Sequence, residues 1–160
     1  MLRLGDTMNI RNVTTDDYER LSDVVNEWGA RTNIFQIVPR LFFEHFQPTS
    51  FVIELHGETI GLVIGFISQT DDKQAYVHFI GINPNFRQQG IGRQLYKHFF
   101  KTVRNKGCNE ILCITTPLNR TSIAFHEALG FQASKMKDYN GPGEDRITFS
   151  CLLNDEMSLS

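Results

Sequence analysis

Residues 80–95 read IGINPNFRQQGIGRQL, a strand-like apolar pattern followed by two glycines and then by a helical pattern. The preceding stretch, residues 75–82, is rich in β-formers, and residues 94–100 continue with the spacing of an amphipathic helix. Gly90 and Gly92 therefore fall where a strand turns into a helix. Such a turn presents unpaired N–H groups at the positive end of the helix dipole, and glycine lets an anion approach the main chain. The pattern predicts a cradle for a phosphate or diphosphate.

Two common phosphate-binding motifs are excluded by the sequence. A Walker loop needs the string Gly-x-x-x-x-Gly-Lys-Ser/Thr, which is absent, and a dinucleotide fingerprint needs a third glycine where the chain has Leu95. The longer string 80–95 instead resembles the acetyl-CoA signature of the GNAT superfamily of N-acetyltransferases. In that signature an apolar strand and a proline precede Arg-x-x-Gly-x-Gly at the start of a helix.

A second segment, residues 119–131, supports the resemblance and reads NRTSIAFHEALGF. Asn119 suits a helix N-cap, and Gly130 suits the left-handed position after a helix. The segment is similar to the GNAT pattern Asn-x-x-small-x-x-x-Tyr-x-x-x-Gly-Phe, except that His126 stands at the usual tyrosine. In that family the segment follows a strand that splays from the strand before the cradle, and residues 110–115 would supply that strand.

The composition is typical of one globular domain, with 41% hydrophobic and 21% charged residues. A net charge of −2 provides no basic field for nucleic acid or an anionic membrane, and no apolar run is long enough to span a bilayer. We therefore expect neither nucleic acid nor a membrane as a partner. Cys108, Cys113 and Cys151 form no Cys-x-x-Cys pair, which predicts a cytoplasmic location with no disulfide and no metal site.

The periodicities along the chain predict the order β, α, α, β, β, β, α, β, α, β, β, with the second helical region broken by Pro39. This order matches the GNAT fold, an α/β (α+β) fold with a mixed, twisted sheet of six to seven strands, helices on both faces and splayed central strands. We expect a single domain at residues 8–153 and a frayed tail at residues 154–160. Residues 1–7 precede a second methionine, Met8, and are expected to be disordered or a start artefact without function.

The resemblance implies acetyl-CoA as the cofactor and indicates which residues would hold it. The diphosphate would rest on the amides of residues 88–93, with added charge from Arg87 or Arg93 unless these arginines are only solvated. The pantetheine arm would pair with the backbone of residues 80–82, where a lone glycine predicts a bulge. The cofactor-binding candidates are Ile80, Gly81, Ile82, Arg87, Gln88, Gln89, Gly90, Ile91, Gly92, Arg93, Asn119 and His126. Among them, the Ile82 amide would stabilise the oxyanion that forms from the thioester.

Acetyl transfer to an amine needs a base, because an amine with a pKa of about 10 is mostly protonated at pH 7. His78 is the favoured candidate: it stands two residues before Ile80, which predicts the same face of the strand, and imidazole titrates near neutrality. A packed, hydrogen-bonded histidine is the alternative interpretation. Tyr76 would orient water, and Glu54 is a second candidate base. His126 would either protonate the departing thiolate or only line the cofactor cleft.

Together these inferences predict an N-acetyltransferase that transfers the acetyl group directly from acetyl-CoA to a primary amine of a small molecule, peptide or protein. Cys113 is not expected to carry the acetyl group, because nothing nearby in sequence would activate it. Acceptor selection would fall to residues 33–46, including Arg40, and to the loop 140–145, whose Glu144 and Asp145 would attract a cationic amine or simply be solvated. A non-catalytic acyl-CoA-binding sensor and a nucleotide phosphate-binding protein are the alternatives. The family resemblance also allows a homodimer.

Overall fold

The computed structural model describes residues 1–28 and 34–154. The strands are β1 (Met8–Asn12), β2 (Phe51–Leu55), β3 (Glu58–Ile67), β4 (Gln74–Ile82), β5 (Glu110–Thr115), β6 (Gln132–Met136) and β7 (Arg146–Leu152). The helices are α1 (Thr15–Asn26), α2 (Ile34–Ile37), α3 (Leu41–His45), α4 (Ile91–Asn105) and α5 (Arg120–Ala128). Residue 33 and residues 155–160 of the predicted tail lie outside the described residues.

The strands form one seven-stranded sheet in the order β1-β2-β3-β4-β5-β7-β6. Neighbouring strands are antiparallel except β4 and β5, which pair in parallel and are joined through α4. A parallel pair needs a crossover, and α4 supplies it between the two central strands. The mixed sheet of the predicted fold class is confirmed.

Both faces of the sheet are covered, because its inner strands are apolar on both faces. Val52 and Ile53 are adjacent on β2 and fully buried, yet they belong to different core clusters, as the period of two requires. The cluster on the α4 side includes Ile53, Val63, Leu95, Tyr96 and Phe99. The cluster on the other side includes Leu21, Val25, Phe43, Val52, Leu62 and Ile64. The prediction of helices on both faces is therefore also confirmed.

The central strands β4 and β5 diverge soon after they pair. Their register covers only three positions, from Gln74 opposite Glu110 to Tyr76 opposite Leu112. Beyond this point each strand continues to its own end without pairing with the other. The predicted divergence of the two central strands is thus confirmed. The gap between them, which we call the splay, leaves one edge of β4 open from residue 77 onward.

The bulge on β4 lies at His78, and the prediction that placed it at Gly81 is wrong. Ile64 of β3 pairs with Phe79 and the next residue of β3 pairs with Val77, so His78 is the extra residue, whereas Gly81 pairs in register with Leu62. A glycine is needed at position 81 for a different reason. A Cβ there would lie 2.8 Å from the ring of Phe79.

An ion-pair network ties α1 to the first two strands. The guanidinium of Arg11 on β1 donates to both carboxylate oxygens of Asp17 on α1, at 2.8 and 2.9 Å, and to Glu54 on β2 at 2.8 Å. Asp17 is only 1% exposed, and it also accepts from the backbone N–H of Thr14 in a capping box at the start of α1. Glu54, predicted as an alternative base, is therefore committed to Arg11.

Candidate active site

The loop before α4 presents backbone amides at the N-terminus of this helix. Gln88 and Gly90 have left-handed backbone torsions, with φ of 61° and 80°, and Gly90 caps α4. Gln94 donates to the carbonyl of Gly90 at 3.0 Å in the first hydrogen bond of α4, so the helix itself supplies no acceptor for the N–H groups that precede it. Amides around left-handed residues at a helix N-terminus converge into a nest that binds anions. The loop predicted from the two glycines therefore has the geometry of an anion cradle.

The two glycines of the cradle serve different purposes. A Cβ at Gly90 would meet no atom within 4 Å, so this residue is open to solvent and is glycine for its backbone torsion. A Cβ at Gly92 would lie 2.8 Å from the ring of Phe125 on α5. Gly92 therefore lets the first turn of α4 approach α5. Ile91 between them is buried, so its side chain anchors the loop to the core while its amide faces the cradle.

The side chains of the cradle bind other parts of the protein. Arg87 donates through Nε to the carbonyl of Ile82 at 3.3 Å and through Nη2 to the carbonyl of Trp28 at the end of α1. Its guanidinium holds α1 and β4 together instead of lying free at the cradle. Arg93, in the first turn of α4, is half-buried.

Residues 1–7 lie against this loop. Gln89 accepts a hydrogen bond from the N–H of Leu2 at 2.8 Å and donates one to the carbonyl of Asn85 at 3.3 Å. Leu2 also packs on the α4-side core, and Asp6 contacts His56 of the β2–β3 turn at 3.0 Å. The structure thus gives residues 1–7 defined contacts beside the cradle.

The open edge of β4 presents backbone donors to the splay. Asn83 donates to the carbonyl of Ile60 on β3 at 2.9 Å, so the Gly61–Ile82 pair is of the non-hydrogen-bonded kind. The N–H of Ile82 consequently points away from β3 and toward the splay, and Ile80 shares that orientation two residues earlier. The side chains of both isoleucines pack on the α4-side core.

Asn119 lies at the start of α5, on the far side of the splay. Its Oδ1 accepts from the N–H of Ser122 at 3.2 Å, which is the expected N-cap bond. Its Nδ2 has no acceptor within the described part of the chain. The side chain can therefore cap α5 and donate to a ligand at the same time.

His78 faces away from Ile80, and the prediction that they share a face is wrong. The bulge at His78 interrupts the alternation of the strand, so its ring stacks on Phe42 of α3 at 4.4 Å while Ile80 packs toward α4. Nε2 of His78 lies 2.6 Å from the carbonyl oxygen of Ile37. Because a carbonyl only accepts, this nitrogen carries the proton, and Nδ1 is left as the basic nitrogen.

Tyr76 lies at the last position where β4 pairs with β5. Burial, together with the neighbouring Tyr139, raises the pKa of its hydroxyl to about 12. The hydroxyl is therefore protonated at neutral pH and can donate to water or substrate.

His126 lies in the core and not on the surface of the splay. It is 4% exposed and stacks on Phe149 at 4.5 Å. Nδ1 lies 2.7 Å from the carbonyl oxygen of Ser122 and Nε2 lies 2.6 Å from the hydroxyl of Tyr96. The carbonyl fixes the proton on Nδ1, so Tyr96 donates to Nε2. Burial lowers the pKa of His126, although the bond to Ser122 opposes this, and the ring is held neutral. Sequence reasoning missed Tyr96, because its α4 position looked only apolar.

The charged groups expected to select an acceptor each pair with another charged side chain of the protein. Arg40 donates to Glu44 at 2.7 Å and contacts Glu19 at 3.3 Å. In the β6–β7 loop, Asp145 lies 3.5 Å from Lys135, and Glu144 lies 3.3 Å from Arg146. These carboxylates would have to exchange partners to bind a cationic amine.

In residues 1–28 and 34–154, no group of three or more His, Cys, Asp or Glu side chains could hold a metal ion. In the same residues, no helix is long and apolar enough to cross a bilayer. Cys108, Cys113 and Cys151 are buried free thiols, and burial raises the pKa of Cys113 to about 12.

Comparison with known proteins agrees with this architecture. Residues 10–131 match the model of the acetyltransferase (GNAT) family. The chain is 37% identical to the aminoglycoside N(6')-acetyltransferase type 1 of Salmonella typhimurium over 60 residues, which are 38% of this chain and only 41% of that enzyme. It is 28% identical to the thialysine N-epsilon-acetyltransferase of Bos taurus over 139 residues, which cover 80% of this chain and 79% of that enzyme.

A solved structure shows the same fold. The acetyltransferase yncA of Salmonella typhimurium, solved with its cofactor acetyl-CoA, superposes with a TM-score of 0.69 at 19% identity. The match covers 96% of this chain and 98% of that one. With the family model spanning most of the sheet and the cradle, the chain belongs to the GNAT family of acetyltransferases.

Proposed function

We propose that the protein transfers the acetyl group of acetyl-CoA directly to a primary amine while both substrates are bound. The observation that carries this proposal is the loop of residues 88–92, which has two left-handed residues and backbone amides at the N-terminus of α4 and which follows the open edge of β4. A diphosphate needs the first feature, and an extended pantetheine arm needs the second. The fold alone would not separate this activity from binding of another anion.

In this proposal coenzyme A lies along the α4 side of the splay. Its diphosphate accepts hydrogen bonds from residues 88–93, and its pantetheine arm pairs with the backbone of residues 80–82. Asn119 supplies an Nδ2 donor from the opposite wall. The outward N–H of Ile82 donates to the thioester carbonyl, where it stabilises the negative charge that develops as the amine attacks.

The chemistry then requires proton transfer from the nitrogen of the acceptor, before and after its attack, and to the departing thiolate. The ammonium loses a proton to Nδ1 of His78, directly or through a water held by Tyr76, and the free amine attacks the thioester carbon. The C–N bond forms, the attached nitrogen gives up its second proton to solvent, the C–S bond breaks, and coenzyme A leaves as a thiolate. Because both ring nitrogens of His126 are occupied in the core, we propose that solvent protonates the thiolate. A Cys113 intermediate is disfavoured by the raised pKa of its buried thiol.

The proposal is tested by titrating acetyl-CoA and by measuring release of free thiol with a panel of amines and peptide N-termini. Wild type should bind acetyl-CoA and turn over at least one amine. Tight binding without turnover of any amine would indicate an acyl-CoA sensor, and stronger binding of ATP or NAD would indicate a nucleotide-binding protein.

The role of His78 is tested by the pH dependence of the rate. His78→Ala should remove the acidic limb of the kcat/KM profile, and His45→Ala is the matched control because its side chain is 73% exposed. An unchanged profile in His78→Ala excludes it as the base.

Location and assembly are also proposals. Three free buried thiols favour a reducing compartment, and we propose that the protein is cytoplasmic. A homodimer is a prediction that light scattering would test.

A further inference from the structure

Five rings form a continuous row on the face of the sheet opposite α4. His78 stacks on Phe42 at 4.4 Å, Phe42 contacts Phe46 at 4.9 Å, Phe46 contacts Phe66 at 5.5 Å, and Phe66 stacks on Tyr76 at 5.3 Å. We call these five residues the aromatic row. All five side chains are half-buried, so the row is neither core nor fully solvated surface.

The row begins and ends at the splay. Tyr76 is the last β4 residue that pairs with β5, and His78 is the bulge residue two positions further. Phe66 lies opposite Tyr76 on β3, while Phe42 and Phe46 extend the row from α3 and the residue after it. The rings therefore line the sheet face beside the proposed base, where an acceptor would approach the thioester.

The chemistry of the row favours a flat apolar ligand. Covering half-buried rings with another ring or an apolar chain lowers the free energy of the complex, and a cation is also attracted to an aromatic face. The row itself contains no carboxylate. Glu44 on α3, which is close in sequence to Phe42 and Phe46, already pairs with Arg40. The row itself therefore offers no charged partner for a second ammonium group of a polycationic acceptor.

We propose that the aromatic row binds the body of the acceptor, and that the enzyme selects monoamines whose nitrogen is joined by a short chain to an aromatic or similarly flat apolar group. The ring of the acceptor stacks in the row while its nitrogen reaches His78. This inference rests on the proposed acetyl transfer and adds the class of acceptor.

A series of primary amines with aromatic, aliphatic and polar bodies, including one diamine, tests the selection. With acetyl-CoA saturating, kcat/KM for 2-phenylethylamine should exceed that for ethanolamine and for putrescine by at least about tenfold, since one apolar group in a fitted pocket gives discrimination of about this size. 2-Cyclohexylethylamine should fall between them, because it has the apolar area without the aromatic face.

One variant in the aromatic row and one control variant at the next residue of β3 test whether the body of the acceptor binds at the row. Phe66→Leu should reduce the ratio of kcat/KM for 2-phenylethylamine over ethanolamine about tenfold. Ile67→Ala is the matched control: it is the next residue on β3, but its side chain packs on the α4-side core. It should lower stability without changing the ratio, which separates a loss of ring contacts from a general loss of structure.

The outcomes separate this inference from the proposed function. If no amine is acetylated, the proposed function fails. If amines are acetylated but ethanolamine or putrescine is preferred, or if Phe66→Leu leaves the ratio unchanged, the acetyl transfer stands and the aromatic selection is overturned.

Discussion

Replacement of Gly90 by glutamate should abolish coenzyme A binding and leave the fold intact. A Cβ at Gly90 would meet no atom within 4 Å, so the fold has room for a side chain to begin at this position. The left-handed torsion, with φ of 80°, costs a non-glycine residue about 1–2 kcal/mol. Gln88 already adopts such a torsion in the same loop, with φ of 61°, so the native state can carry this strain.

The effect on binding follows from Coulomb repulsion. A carboxylate about 5 Å from one charge of the diphosphate, at an effective dielectric constant of about 20, is repelled by about 3 kcal/mol. That free energy corresponds to a loss of about two orders of magnitude in affinity. The carboxylate would also accept hydrogen bonds from the amides of residues 88–92 and so compete with the ligand.

Calorimetric titration of coenzyme A and thermal unfolding measure the two effects separately. Gly107→Glu is the matched control, because Gly107 has φ of 98° and lies just beyond the last residue of α4, at the opposite end of this helix from the cradle, where a Cβ would meet only Nζ of Lys73 at 3.9 Å. Gly90→Gln separates the effect of side-chain size from the effect of charge. All three variants should lose similar stability, Gly90→Glu should lose affinity at least about a hundredfold, and Gly107→Glu should bind like wild type. Wild-type affinity in Gly90→Glu would refute the cradle.

Three further outcomes are expected. Burial would raise the pKa of Asp17, but its bonds to Arg11 and Thr14 lower it to about 2. The ionised carboxylate therefore contributes about 2 kcal/mol to the free energy of unfolding above pH 4, and this contribution is lost as the pH falls toward 2. Asp17→Asn should make the free energy of unfolding, measured by urea titration, less dependent on pH in this range. Gln89→Ala removes two hydrogen bonds that fix the cradle loop and should raise the Kd for coenzyme A by up to about tenfold; an unchanged Kd would mean that residues 1–7 do not support the loop. His126→Phe leaves the buried hydroxyl of Tyr96 without its acceptor and should cost about 1–3 kcal/mol of stability with little change in kcat, whereas a large loss of kcat at unchanged melting temperature would assign it the acid role.

The cradle and the order of elements could be predicted from sequence because they depend on local features. Glycines at a strand–helix junction, a proline inside a helical region and the period of the apolar residues each act within a few residues of the chain. The N-cap of α5 at Asn119 is local in the same way, and the structure has it. The splay was expected only through the family resemblance.

The bulge and the core histidine could not be predicted because they depend on contacts across the sheet. A lone glycine in β4 looked like a bulge, but the extra residue is His78, and its position is set by the register with β3. A shift of one residue reverses every later side chain, so the predicted face of His78 relative to Ile80 was reversed too. The burial of His126 depends on Tyr96 and Phe149, which lie 30 and 23 positions away in the sequence.

The extra residue in β4 has a consequence for the order in which substrates bind. Its own imidazole faces the side of the sheet opposite α4, while the backbone after it faces the gap between β4 and β5. In the proposed mechanism the acceptor and the cofactor therefore approach the reaction centre from different sides, and neither should block the other. Initial-rate lines at several fixed concentrations of one substrate should intersect, and each substrate should bind the free enzyme measurably.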